Sequence, residues 1–243
     1  MMTFHILNGD ALLNQFPNLK GERIICRECM IDGPVTGEEL SSFFLQRALF
    51  ISDYFNVSKD GYNRKCILEF SKFDTIESED EVNLWFEDDL FCQTNLWFCI
   101  NILKSKGNFN LNLVRPNHNN WNGFGSMNSL DLQWSFDHKI CLDKDNVDAF
   151  SNLWSAYQNE DINQMKYLGL KLKNIVPRLP EVVDAHESRK RNLEESGRPE
   201  QALQKIKNDG TNNFEEVFRM FSNLEAIYGY GDLQVKRMWE VLK

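Results

Sequence analysis

The stretch Val82-Asn83-Leu84-Trp85-Phe86-Glu87-Asp88-Asp89-Leu90-Phe91-Cys92-Gln93 decides how the chain is read. An apolar run passes directly into three consecutive carboxylates, and a second apolar run then recurs at helical spacing. That order predicts a buried strand over 82–86, a sharp turn, and a helix from about 89 to 105. Apolar residues at 92, 96, 99, 100 and 103 keep the helical period, and Trp97 and Phe98 widen the buried face. Acidic groups at such a turn stand at the carboxyl end of a strand, where open α/β sheets place their ligands.

Toward the N-terminus, residues 3–7 are apolar and lead through Asn8-Gly9-Asp10 into residues 11–16. Strand, tight turn and helix are predicted, with Gly9 allowing the turn. Asp10 is either a helix N-cap or a ligand contact at a strand end, and this segment alone favours the cap. Residues 22–29 read as a second strand running into the turn Asp32-Gly33-Pro34. From Glu38 onward, apolar residues at 40, 43, 44, 48, 51 and 55 mark an amphipathic helix with an acidic first turn. Arg47 lies beside its apolar stripe, within reach of a site. A tandem helix is expected over 60–73 and an acidic loop over 75–81.

Toward the C-terminus, residues 110–114 form a fourth predicted strand, followed by Arg115-Pro116-Asn117-His118. Residues 117–129 are rich in Asn, Gly and Ser, the signature of a long loop that is functional or mobile. Only helices are expected beyond that, at 146–158, 161–173, 180–195, 199–207, 213–224 and 232–242. Pro177 and Pro180 mark a sub-boundary. The whole reads as an α/β protein: a Rossmann-like, mainly parallel sheet with flanking helices over 1–145, then an all-helical C-terminal region over 146–243.

A chain of 243 residues suits one large domain or a domain with an appendage, and 42% hydrophobic with 12% aromatic residues excludes disorder. A net charge of -9 argues against a nucleic-acid partner. Lys205, Lys207, Arg219, Lys236 and Arg237 are interleaved with acids and form no basic stripe. No secretory signal opens the chain and no run approaches membrane-spanning length, so a soluble, cytoplasmic protein is expected. Six cysteines, mostly inside apolar runs, fit reduced core thiols. Cys26 and Cys29 make one C-x-x-C without the second pair that a zinc site requires.

If the four strands are parallel, one edge collects Asp10, Glu28, Asp32, Glu87, Asp88, Asp89, Arg115 and His118, beside Asn8 and Gly9. Carboxylates crowded in one cleft repel, so a raised pKa or a bound cation is expected, with magnesium on Asp10, Glu87 and Asp88 as the metal case. Arg47 and Arg115 would then grip an anionic group, and the Gln93 amide would fix a polar one. Of the four histidines, only His118 is placed to act as acid or base. The plainer account has Asp88 or Asp89 capping the helix, Asp32 making a turn, and Glu28 and Glu87 paired with Arg27, Arg47 or Arg115. The chain contains no dinucleotide fingerprint, phosphate loop or nucleophile elbow.

Three blocks, His5-Ile6-Leu7-Asn8-Gly9-Asp10, Arg27-Glu28-Cys29-Met30-Ile31-Asp32-Gly33-Pro34 and Leu84-Trp85-Phe86-Glu87-Asp88-Asp89-Leu90-Phe91-Cys92-Gln93, resemble the family catalogued as domain of unknown function 1835. The resemblance spans roughly residues 3–120, and Tyr230-Gly231-Asp232-Leu233-Gln234 resembles the helical extension that accompanies such domains. It implies the domain layout, brings no activity with it, and singles out Asp10, Glu87 and Gln93.

The leading expectation is a cleft for a small polar or phosphorylated ligand, with a divalent ion, as in a hydrolase or transferase. Asp10 and Glu87 would hold metal or act as base, and Gln93 and Arg115 would orient the ligand. The rival is a non-catalytic ligand-sensing module whose last helices report to a protein partner or a second copy. The sequence leaves open whether the protein is an enzyme.

Overall fold

The computed structural model describes residues 1–37, 39–117, 121, 123–190 and 196–242. Strands β1 (Thr3–Asn8), β2 (Glu22–Cys26), β3 (Glu81–Trp85) and β4 (Asn110–Val114) run parallel. A short fifth strand, β5 (Ile140–Cys141), joins β4 antiparallel, giving the order β2-β1-β3-β4-β5. In register, Ile6 stands between Ile24 and Leu84, and Leu84 is paired in turn with Leu113. These aliphatic rows are the near-continuous apolar runs that a sheet covered on both faces requires.

The twelve helices among the described residues are α1 (Asp10–Gln15), α2 (Leu40–Phe55), α3 (Lys59–Tyr62), α4 (Leu68–Ser71), α5 (Leu90–Lys106), α6 (Ser129–Asp137), α7 (Lys144–Gln158), α8 (Ile162–Lys171), α9 (Leu179–Ser188), α10 (Arg198–Asn208), α11 (Phe214–Leu224) and α12 (Asp232–Val241). Alternation along the strands sorts their side chains onto two faces. Ile6, Ile24, Leu84 and Leu113 join the larger core with α2, α5, α7 and α9. Leu7, Ile25, Trp85 and Val114 join a smaller core with Leu12 of α1 and Leu132 of α6. A third cluster holds α10, α11 and α12 together through Leu203, Ile206, Val217, Phe221 and Val235.

Helix α5 is the central one. Twelve of its residues are buried, from Leu90 to Leu103, around most of its circumference. A helix apolar on all sides belongs inside a protein, and α5 lies between the sheet and α7. Phe150, Leu153 and Trp154 of α7 and Val182 and Val183 of α9 belong to the same cluster as the sheet residues, so helices beyond residue 145 share the sheet's core.

The fold departs from the sequence reading at several points. Strand β5 and helix α6 are absent from that reading. Two residues of strand carry no periodicity, whereas α6 does have a signal in its capping box, Asn128 with Asp131. The expected helix over 60–73 is α3 and α4 joined by a π-helical turn, Asn63–Ile67, and closed by a 3-10 turn, Lys72–Thr75. Glu69 of α4 accepts the Ile25 N–H at 3.0 Å and so covers the outer edge of β2. The helix expected from Glu38 begins at Leu40; Glu38 lies outside the described residues, as do residues 191–195. Among the described residues, no helix is long and apolar enough to cross a membrane.

His186 in α9 provides a direct test of this packing. It is buried against the Tyr157 ring with 4.9 Å between centroids, and among the described residues its Nε2 atom has no hydrogen-bond partner. Burial, with Arg189 and Lys190 nearby, pushes its pKa down to about 3 from 6.5. Above pH 6.5 the ring is neutral whether the chain is folded or unfolded, and this site leaves stability unchanged. Below it, only the unfolded chain takes up the proton, so stability falls with pH until about 3. Urea unfolding should therefore show wild type losing up to about 1.4 kcal/mol per pH unit more than His186→Gln once the pH is well below 6.5 and still above 3.

Candidate functional site

From β1 the chain crosses to β2 on one side, then returns to place β3 on the other. The carboxyl ends of β1 and β3 therefore flank the point where the winding reverses, the position at which open α/β sheets bind ligands. Asn8 ends β1, and Glu87, Asp88 and Asp89 follow β3.

Each of the three carboxylates meets a different fate. Asp88 is held by Arg115 through a two-pronged contact, with Nε at 2.8 Å from Oδ1 and the second prong closing onto Oδ2. Asp89 caps α5 by accepting the Cys92 N–H at 2.9 Å, the role that residue type serves best. Glu87 accepts the Phe124 N–H through Oε1 and faces the Cys92 thiol at 3.3 Å through Oε2. Among the described residues, neither Glu87 nor Asp89 is paired with a lysine or arginine.

One ligand atom each from Glu87, Asp89 and Cys92 lies within 4.8 Å of the other two. Burial raises the Glu87 pKa, the charge of Asp88 adds to the effect, and backbone N–H groups oppose it. Burial and the charge of Glu87 push Asp89 up to about 7. Burial and both carboxylates also raise the Cys92 thiol well above its usual value. The trio therefore resists carrying its full negative charge without a proton or a cation. Asn8 supports the sulfur, its Nδ2 donating to Cys92 Sγ at 2.8 Å, and Asn95 donates in turn to Asn8 Oδ1 at 2.9 Å.

Two glycines let the backbone close on these acids. Gly123 and Gly229 have φ of +59° and +64°, and a Cβ at either would run into the carboxylate of Glu87 or Asp89 respectively. Each glycine thus supplies both a left-handed turn and a close approach. The trio lines a cavity of about 380 Å³ whose other walls include Phe91, Trp121, Phe221, Glu225 and Tyr230.

Most other residues expected at the edge have partners elsewhere. Asp10 follows the cap residue Gly9 and makes no side-chain cap; instead the Arg27 guanidinium grips it at 2.9 and 3.0 Å, and that hydrogen bonding lowers its pKa. Glu28 and Arg47 form a fully buried pair at 2.7 Å, and the Tyr62 hydroxyl also donates to Glu28. Arg47 further donates to the carbonyls of Cys29, Asp32 and Pro34, which commits it to holding the 28–34 loop. Asp32 accepts from Gln234 of α12 at 2.6 Å and lies 3.6 Å from Arg189. Gln93 is buried, donating to the Glu87 carbonyl at 2.7 Å and accepting from Trp97 at 3.3 Å. Gly9 borders a second cavity beside Asn8, and His118 lies outside the described residues.

Cys92 and Asn95 are the site residues that the sequence reading passes over. Cys92 reads as a core thiol because its neighbours are apolar, and only its placement three residues after the cap Asp89 points it back toward the strand end. Asn95 has a signal in retrospect, a lone amide in an otherwise apolar helix face. Glu225 and Gly229 arrive from distant parts of the chain with nothing local to announce them, whereas Trp121 lies in the Asn-, Gly- and Ser-rich 117–129 stretch and Tyr230 opens the Tyr230-Gly231-Asp232-Leu233-Gln234 block. Comparison of the chain with known protein families, curated proteins and solved structures finds no match.

Urea denaturation separates structural from peripheral charges here. Arg47→Leu strands Glu28 without its counter-charge in the core and should cost roughly 3–5 kcal/mol. Asp10→Ala removes a solvent-exposed partner, and its effect should stay within about 1 kcal/mol.

Proposed function

We propose that this protein binds a small polar ligand in the carboxyl-end cleft of a Rossmann-like sheet, with a divalent cation held by Glu87, Asp89 and Cys92 assisting a hydrolase or transferase reaction. The observation that carries this reading is the convergence of three donor atoms within 4.8 Å at the winding reversal, with no basic side chain among the described residues paired to them. The donor chemistry favours the zinc class over magnesium. Magnesium seeks an octahedron of oxygens, while a sulfur with two carboxylates suits zinc and leaves one position open. The magnesium set expected from the sequence, Asp10, Glu87 and Asp88, is less suited, since Arg27 and Arg115 engage two of its three members.

In this reading the cation polarises a substrate oxygen or a water in the open position. Asn8 orients the sulfur, and Asn95 fixes Asn8, the kind of outer support that metal sites depend on. Among the described residues, those lining the 380 Å³ cavity include no lysine or arginine, so on these walls a phosphorylated ligand would draw its counter-charge from the cation, and an uncharged polar head fits more simply. The resemblance to the domain of unknown function 1835 family belongs to the same proposal, because two of its three blocks supply Asn8, Glu87, Asp89 and Cys92. A reducing, cytoplasmic setting accords with six free cysteines.

A second reading, a ligand-sensing module, draws on Gly229. The turn preceding α12 closes directly on Asp89, so occupancy of the cleft would be felt by the helical C-terminal region and by a protein partner or second copy bound to it.

Calorimetric titration of the apo protein tests the leading reading. One zinc per chain should bind, magnesium should not compete, and Glu87→Gln, Asp89→Asn and Cys92→Ser should each weaken binding about tenfold or more. Asparagine is also a good N-cap, so Asp89→Asn preserves α5 while removing the charge. Unchanged zinc binding in all three variants would refute the site.

A further inference from the structure

A second cavity, of about 470 Å³, adjoins the acidic one and shares Asn8, Phe91 and Gly229 with it. Its character is different. Ile51 and Phe55 at the end of α2, Val57 just beyond, Phe91 in α5 and Leu233 in α12 make its walls. The polar side chains at its border are already engaged: Arg27 with Asp10, Glu28 with Arg47 and Tyr62, and Gln234 with Asp32. Asp232 remains out in solvent. Val57 and Leu233 keep 36% and 53% of their surface exposed, two large aliphatic groups at the mouth of a concave site. Such a hollow favours an apolar occupant, because its walls are mainly aliphatic and aromatic and most of the polar groups at its border already hold partners. Its volume lies in the range typical of small-molecule sites.

We propose that this second cavity seats the apolar limb of the ligand, so that the ligand is an amphipathic small molecule whose polar head lies at Glu87, Asp89 and Cys92. The assignment of the head rests on the cation-site reading above; that of the limb rests on the apolar walls and on their continuity with the acidic cavity. Asn8 and Phe91 stand at the junction, one turned to the sulfur and one supplying wall to both cavities. The specificity of the protein then lies in limb length and bulk, read by α2 and α12, and its chemistry in the trio.

Two homologous series of probes test this on the full-length protein. Straight-chain hydroxamates, from aceto- to octanohydroxamate, carry a metal-binding head, and the matching n-alkanols carry none. With zinc present, hydroxamate affinity should rise about fourfold per methylene until the cavity is filled. Alkanols should show a similar gain from a weaker start. Leu233→Ser and Val57→Ser should reduce the gain per methylene in both series, while Tyr167→Ser, an exposed aromatic outside both cavities, should leave it intact. Zinc-dependent hydroxamate binding with no dependence on length would overturn the limb subsite and leave the cation site standing. Length-dependent binding of both series, lost in Leu233→Ser but indifferent to zinc, would support the limb subsite and overturn the cation site. No length dependence in either series overturns the inference whatever zinc does.

Discussion

Three successive carboxylates at the end of a central strand must each be stabilised in a place largely closed to water, and much of the surrounding structure answers that demand. Asp88 is neutralised by Arg115, carried in just after β4. Asp89 is taken up by the N-terminus of α5, whose unpaired N–H groups and dipole favour an anion. Glu87 has a backbone N–H and a thiol but no cation among the described residues. Charge that burial raises in energy and that the protein leaves uncompensated is where a bound cation or proton is expected.

The elements around this edge are held by polar groups buried away from it. Asn95, deep in α5, receives the Met30 N–H and donates to both Asn8 and the Glu28 carbonyl, tying β1, the 28–30 turn and the helix together. The Glu28–Arg47–Tyr62 cluster fixes α2 and α3 against the same turn. Gln234 and Arg189 reach Asp32 from α12 and from the residue after α9, so the last helices are anchored to the loop that follows β2. Breaking such buried partners leaves charges or amides stranded, which is why these side chains matter to the shape of the cleft without entering it.

Much of this was legible in the sequence. Strands β1 to β4 and helices α2, α5 and α7 follow from apolar periodicity, because burial on one or both faces imposes that periodicity directly. Strand β5 is two residues long and exists through its pairing with β4, a tertiary fact without local trace. The strand-end edge was also legible, since topology alone decides where parallel strands end. Which acids remain uncommitted there was not. Asp10 and Asp88 look like Glu87 in one dimension, and only folding shows that Arg27 and Arg115 have claimed them. Arg47 and Gln93 mislead for the same reason: a long polar side chain beside an apolar stripe reads as a reach into a site, yet both turn inward to satisfy buried carbonyls. Cys92 errs in the opposite direction, a thiol among apolar neighbours whose sulfur meets the acids.

Cobalt(II) titration of the apo protein, followed by absorption, addresses the proposed trio most directly, because a cobalt–thiolate bond produces a charge-transfer band that carboxylates alone do not. The expected result is a band that saturates at one ion per chain, disappears in Cys92→Ser, weakens in Glu87→Gln and Asp89→Asn, and survives Cys26→Ser and Cys141→Ser. A band that persists without Cys92, or no band at all in the folded protein, would contradict a cation site built from Glu87, Asp89 and Cys92.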